Sequence, residues 1–577
     1  MIVARAVGAA LAGLGVRTVF GVVGSGNFHV TNALTEHGAR FVAARHEGGA
    51  ATMADAYARL SGETGVLTVH QGPGLTNALT GVTEAAKSRT PLLILAAEAD
   101  QPRSNFHIGQ SALAEAVGAV AVRLESAGTA VADAVRAYRL ATGERRTVLL
   151  NMPLAVQSQE TTWRPGTAVP GGPPGAGPVD GPVDGPADGG TVVARGAVLD
   201  GGAAVDGVSA APEPSAESAR ALAGSLAGAR RPVFIAGRGA RRARAEIEAL
   251  ADRAGALLAT SAVARGLFNG SPWDLGVGGG FASPLAAELI RGADVVVSFG
   301  CALNMWTTRH GALIGPSTTV VQVDTDPAAL GAHHRADLTV TGDAAATARA
   351  VTALLAESPG RRTPELAARI AGEIAWRDVP YTDTTGGGRI DPRTLSIALD
   401  DLLPAERVLA VDSGNFMGYP SMFLSVPDEN GFCFTQAFQS VGLGLATAIG
   451  AALARPGRLP VAALGDGGAL MGIAELETVV RLGLPMVIVI YDDEAYGAEV
   501  HHFGPHGHPL DHVRFPPADL AAIARGFGCD AVTVTSAADL TPVTTWLDGP
   551  RDRPLLIHGK VTADHPSWWL EEAFRGH

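Results

Sequence analysis

Short apolar runs, each closed by Gly or Pro and each followed by a helical stretch, recur along nearly the whole chain. In the first hundred residues the runs fall at 17–23, 40–44, 65–70 and 91–97, with helical stretches near 27–37, 47–61 and 76–89. Strands that are apolar from end to end and alternate with helices predict a parallel sheet covered by helices on both faces. The pattern resumes with RRPVFIAGRGA at 230–240, a helix near 243–255 and strands at 294–300 and 318–324. It returns a third time with strands at 408–411, 461–464 and 486–491. A chain of 577 residues is too long for one core. The expected architecture is therefore α/β, three doubly wound parallel-sheet domains in series, over 1–163, 216–356 and 391–577. A Pro/Gly/Ala-rich linker at 164–215, carrying GPVDGPVDGPAD at 177–188, separates the first two. A polar, Gly-rich connector at 357–390 separates the last two.

Composition narrows the function. A net charge of -13 argues against nucleic acid or an anionic membrane as partner. No run approaches the roughly 18 unbroken apolar residues of a membrane span. Lys87 and Lys560 are the only lysines, which leaves few amines for a Schiff-base mechanism. Cys301, Cys433 and Cys529 are odd in number and far apart, so a reducing cytoplasm is the expected compartment. The opening MIVARAVGAALAGLG has the look of a signal segment, but it runs directly into Arg17–Gly21, as a first helix and buried strand would.

The third domain carries the most specific pattern, GDGGALMGIAELETVVRLGLPMVIVIYDDEAYG from Gly465 to Gly497. It parses as strand, Gly-Asp-Gly turn, helix, strand and acidic turn. Asp466 ends one strand and Asp493 the next, and a right-handed crossover brings both ends to one edge. Two carboxylates there form a hard-oxygen site suited to Mg²⁺ or Ca²⁺. Gly465, Gly467 and Gly468 leave room for a phosphate, which the helix-start N–H groups can hold. The bland alternative is two solvated turn aspartates.

In the first domain Arg45-His46-Glu47 follows the strand FVAA and opens a helix. Glu47 thus sits at the carboxyl end of a parallel strand, where open α/β sheets place their ligands. An ordinary capping Glu would look the same. The turns Gly24-Ser25-Gly26 and His70-Gln71-Gly72 end neighbouring strands at the same edge. His70 reads equally as a satisfied histidine of that edge. His501, His502, His506, His508 and His512 follow the acidic turn with no regular metal spacing, and read as a polar loop with His501 or His502 near substrate. Trp306 to His310 follows a central strand, where it either reaches a ligand or simply packs.

With these motifs assembled, the chain resembles thiamine-diphosphate enzymes of the acetolactate synthase, pyruvate oxidase and benzoylformate decarboxylase type. The RHE turn, the GPG loop at Gly72, VQVDTDPAAL at 321–330, VGLGLATAIGAAL at 441–453 and the GDG motif all take part. The resemblance implies a pyrimidine-binding first domain, a central domain and a diphosphate- and metal-binding third domain. It implies that Glu47 hydrogen-bonds the aminopyrimidine, so that the cofactor loses its C2 proton and attacks a small 2-oxo acid. Asp466, Asp493 and the Ala495 carbonyl would hold Mg²⁺. Gly24, Gly72, Asn77, Ser413, Gly414, Asn415, Phe416, Gly442 and Tyr496 would line the cofactor, with Val441 as the wedge that bends it. Ser25, His70, His501 and His502 would face substrate. A homodimer or homotetramer with active sites at the dimer interface is implied. The expected reaction is 2-oxo acid decarboxylation with carboligation to a second carbonyl. The alternatives are simple decarboxylation, or an oxidase with FAD in the central domain. Asp493 stands where the family usually has Asn, Val441 is smaller than the usual Met or Leu, and His70 matches the benzoylformate decarboxylase branch.

Overall fold

In the computed structural model the described residues are 1–166, 212–358 and 360–573. Nearly all of the 164–215 linker lies outside them. The chain divides into two compact units, Met1–Ala210 and Ala211–His577.

The first unit holds six parallel strands: β1 Thr18–Gly21, β2 Arg40–Ala43, β3 Gly65–Val69, β4 Leu92–Glu98, β5 Val120–Arg123 and β6 Thr147–Pro153. Their order is β2-β1-β3-β4-β6-β5. β3 is buried along its whole length, as expected of a strand covered on both faces. The chain turns back on itself between β1 and β3, so the loops after these strands flank the crevice where open α/β sheets bind ligands. Two helices, Glu47–Ser61 and Pro73–Lys87, pack tightly here, because a Cβ at Gly81 would lie 2.8 Å from that of Ala51. Arg59, its side chain 8% exposed, bridges them through Asp55 at 2.6 Å and Glu84 at 2.8 Å. Both helix starts therefore reach the crevice as one rigid pair.

The second unit holds two such sheets. The first has β7 Pro232–Ala236, β8 Leu257–Thr260, β9 Asp274–Val277, β10 Val295–Phe299, β11 Thr319–Asp324 and β12 Leu338–Thr341. Its order is β12-β11-β10-β7-β8-β9. Val233 and Ile235 pack on one face, Phe234 and Ala236 on the other, the period-two signature of a sheet buried on both sides. The next has β13 Arg407–Val411, β14 Phe432–Phe434, β15 Leu459–Gly465, β16 Val487–Asp492, β17 Asp530–Val534 and β18 Leu555–Lys560. Its order, β14-β13-β15-β16-β18-β17, repeats that of the first unit strand for strand, with its switch between β13 and β15.

Three six-stranded parallel sheets are the predicted α/β architecture. One difference stands out in the 357–390 connector, which contains a helix, Pro364–Glu373, with Ile370 buried in the central core. Leu366, Ile370 and Ile374 recur at four-residue spacing and pack on that core, and Thr363 caps the helix. No helix of the described residues is long and apolar enough to cross a membrane. All three cysteines are buried and free.

Candidate functional site

In the first unit, Glu47 is the first residue of its helix, after His46, whose Nδ1 accepts the Gly48 N–H at 3.0 Å. Asn77 Nδ2 donates to Glu47 Oε2 at 3.0 Å. The pair sits one turn before the Ala51–Gly81 contact, so helix packing sets its geometry. His70 follows β3. Its Nδ1 accepts the Gly26 N–H at 3.2 Å, and its ring meets Phe106 edge-on at 5.3 Å. With Nδ1 committed as an acceptor, the neutral ring carries its proton on Nε2. Burial pulls the His70 pKa below the ordinary histidine value, against the opposing charge of Glu47. The β1 turn is fixed by buried Asn27, which accepts the Gly24 N–H and donates to Val22 O and Thr68 Oγ1. Ser25 is exposed at its tip. Gly72 has φ +66°, and a Cβ there would lie 2.7 Å from the Phe106 carbonyl, so no other residue fits this turn. Glu47, Asn77, Gly24, Ser25, Gly72 and His70 thus share one sheet edge. Asn27 and Phe106 were not found from the sequence.

In the second unit, Asp466 follows β15 and Asp493 follows β16, on neighbouring strands paired Gly465 to Tyr491. Asp492 and Asp493 are adjacent in sequence but chemically opposite. Asp492 is paired with His558 at 2.6 Å, with Lys560 4.0 Å away. Burial works against its ionisation, but these partners outweigh it and hold the carboxyl below its usual range. Among the described residues Asp466 and Asp493 have no ion-pair partner. Burial, then the charges of Asp493 and Asp492, push Asp466 up to about 8. Burial likewise pushes Asp493 up to about 7, opposed by the Ala495 N–H. Glu494 between them adopts φ 58°, held by Arg389 at 2.7 Å and Lys560 at 3.4 Å. The bridge to Arg514 is made by Tyr496 and Phe515 N–H groups, so the Ala495 carbonyl is not spent on it. No group of three or more His, Cys, Asp or Glu forms a metal cluster among the described residues. The oxygens on offer are two carboxylates and a carbonyl, hard donors of the kind that would suit Mg²⁺ completed by phosphate and water.

Cβ atoms added at Gly465, Gly467 and Gly468 would strike the Phe416 ring at 3.0 Å, the Tyr496 ring at 2.7 Å and Asp412 Oδ2. The last would also lie 3.2 Å from Val441. Asp412 is a further residue missed from the sequence. Fully buried, it accepts N–H bonds from Ser413, Gly442 and Leu443 at 2.8–3.2 Å and so ties the β13 loop to the Val441–Gly442 turn. Burial raises it to about 6 despite these donors. Gly414 and Asn415 follow in the same loop, and Asn415 hydrogen-bonds Asp493. His501 and His502 lie on the helix Gly497–Phe503. Burial, then nearby His565, lowers the His501 pKa, and its Nε2 is buried without a partner among the described residues. His502 packs edge-on against Phe503. In the central domain, Trp306 to His310 packs. Buried Arg309 donates to the Gly279 and Ala282 carbonyls at 2.8 and 2.7 Å.

The two unpaired carboxylates have a measurable consequence. Both have folded-state pKa values above the roughly 4 of an unfolded Asp. Their contribution to stability is therefore full below about pH 4 and is lost as pH climbs through about 7 to 8. Protein stripped of divalent cations is expected to melt at a lower temperature at about pH 8.5 than at about pH 6.5. Asp466→Asn should flatten that slope; an unchanged slope contradicts the assignment.

Comparison with known proteins agrees with this geometry. Family models described as thiamine pyrophosphate enzyme N-terminal TPP binding domain, central domain and C-terminal TPP binding domain match residues 1–122, 219–351 and 412–558. An acetolactate synthase large subunit from Parasynechococcus marenigrum is 27% identical, covering 95% of this chain and 88% of that protein. A probable 2-ketoarginine decarboxylase from Pseudomonas aeruginosa is 29% identical, covering 90% and 87%. A sulfoacetaldehyde acetyltransferase from Castellaniella defragrans is 27% identical, covering 92% and 87%. All three domain models match in order over most of the chain, and the chain is an enzyme of the thiamine pyrophosphate family.

Proposed function

We propose that this enzyme uses thiamine diphosphate and Mg²⁺ to decarboxylate a small 2-oxo acid and join the remaining acyl unit to a second carbonyl compound. The observation that carries the cofactor reading is the Asp466–Asp493 pair, without an ion-pair partner among the described residues and beside a glycine-lined helix start. Thiamine diphosphate, when bound, supplies a carbon nucleophile that adds to the 2-oxo acid and takes up the electron pair left by CO₂. The chain's own groups do the rest. Asp466, Asp493 and the Ala495 carbonyl hold the cation, which neutralises the diphosphate. Glu47, with one oxygen held by Asn77, presents its carboxylate to the aminopyrimidine nitrogen and governs proton loss there. Carboligation is favoured because similar proteins include a synthase and an acetyltransferase.

A homo-oligomer belongs to this reading. Val23, Phe28 and Phe106 of the first unit, and Val441, Leu470, Met471 and Tyr496 of the second, are large apolar side chains exposed beside the candidate residues. Cofactor and a second copy would cover them. The free, buried cysteines suit a reducing cytoplasm. The flavin alternative finds less support. The turns after β7 and β10 touch backbone to backbone at the central switch point, where Gly239 N–H meets Gly300 O at 3.1 Å. Arg309 is already committed to two carbonyls.

One observation favours simple decarboxylation as a second reading: His70 offers an Nε2 proton beside Glu47. Delivered to the reacting carbon, it would release an aldehyde.

Two variants test these roles. Glu47→Gln should slow deuterium exchange at C2 of bound thiamine diphosphate by about a hundredfold or more while changing cofactor affinity little. Unchanged exchange by NMR removes Glu47 from the mechanism. His70→Ala should slow aldehyde release by about tenfold or more and spare hydroxyketone formation with added acceptor aldehyde. Identical product ratios from pyruvate and from an aromatic 2-oxo acid would leave His70 a structural role only.

A further inference from the structure

Asn415 is almost fully buried in the loop after β13, and its amide is oriented by its partners. The Ser567 N–H donates to Asn415 Oδ1 at 3.0 Å. A backbone N–H can only donate, so the atom facing it must be the amide oxygen. The amide nitrogen is then the group left for the Asp493 carboxylate, to which Asn415 hydrogen-bonds. Ser567 Oγ and Trp569 Nε1 also donate to the Asn415 carbonyl, at 2.6 and 2.9 Å. Gly497 closes over this arrangement. A Cβ there would lie 3.3 Å from Asn415 Nδ2 and would overlap Asp493 Oδ2 at 2.2 Å. The far side of the segment rests on the central domain. The Trp569 ring lies 6.2 Å from that of Trp306, and the Arg309 guanidinium sits 5.4 Å from the Trp568 ring.

We propose that Ser567–Trp569 is a positioning strap for the metal site. It grips Asn415 by backbone and side chain, so that Nδ2 donates to Asp493 and steers the carboxylate toward the cation. It also anchors this grip to Trp306 and Arg309 of the central domain. The proposal rests on the reading of Asp466 and Asp493 as metal ligands. It gives the central domain a task, because its packing against Trp568 and Trp569 sets the affinity of a site on another sheet. The directed bond from Asn415 also keeps Asp493 in place against repulsion from Asp466.

The experiment measures Mn²⁺ affinity at saturating thiamine diphosphate, by electron paramagnetic resonance of free Mn²⁺. It also measures the Mg²⁺ dependence of C2 deuterium exchange. Ser567→Pro deletes the N–H, Ser567→Ala keeps it, and a chain ending at Asp564 removes the strap without placing Pro in the fold. Asp466→Ala tests the metal site itself, and thermal melting reports folding. Loss of a hydrogen bond that orients a charged group predicts Mn²⁺ binding weakened about tenfold or more in Ser567→Pro and in the shortened chain. Raised Mg²⁺ should restore exchange in both, and Ser567→Ala should bind more tightly than Ser567→Pro. Wild-type Mn²⁺ affinity in the shortened chain, with binding abolished in Asp466→Ala, overturns the strap and leaves the metal site standing. Wild-type affinity in Asp466→Ala overturns the metal reading itself.

Discussion

Two carboxylates with no ion-pair partner among the described residues, Asp466 buried and Asp493 half-buried, are the constraint around which this enzyme's second unit is arranged. Asp466 and Asp493 lie at the ends of adjacent strands, in surroundings that oppose their ionisation. Burying like charges without partners is strongly unfavourable. The nearby cationic side chains are engaged elsewhere. Arg389 and Lys560 approach no nearer than Glu494, and His558 is spent on Asp492.

The first and third sheets share one strand order, and in each the candidate residues follow strands at and next to the switch point. In the first unit these loops present a carboxylate, an imidazole and glycine turns. In the second they present two carboxylates, glycines and apolar side chains. The central sheet has a different order, and the turns at its switch point are in backbone contact. Its connection to the chemistry runs through packing against Trp568 and Trp569.

Much of this was legible in the sequence because the signals are local. Apolar runs ending in glycine mark buried strands, and the residues just after them mark the ligand edge. Glu47, Asp466 and Asp493 were all found by that rule. Residues whose roles depend on distant partners were not. Asp412 stands one residue before the Ser413–Phe416 stretch, and only the fold reveals that its carboxylate ties that loop to Gly442. Asp492 and Asp493 differ because His558, 66 positions later, reaches only the first. Asn415 and Ser567 are 152 positions apart, and no spacing rule connects them. The helix Pro364–Glu373 escaped because it is short and set among polar, Gly-rich residues, which mask the four-residue spacing of Leu366, Ile370 and Ile374.

The central claim is that the carboxylate pair binds the diphosphate through a divalent cation. The most direct test is calorimetric titration of thiamine diphosphate into metal-free protein, with and without Mg²⁺. Binding that is measurable with Mg²⁺ and lost without it is the predicted result. Equal affinity in both titrations would contradict the account.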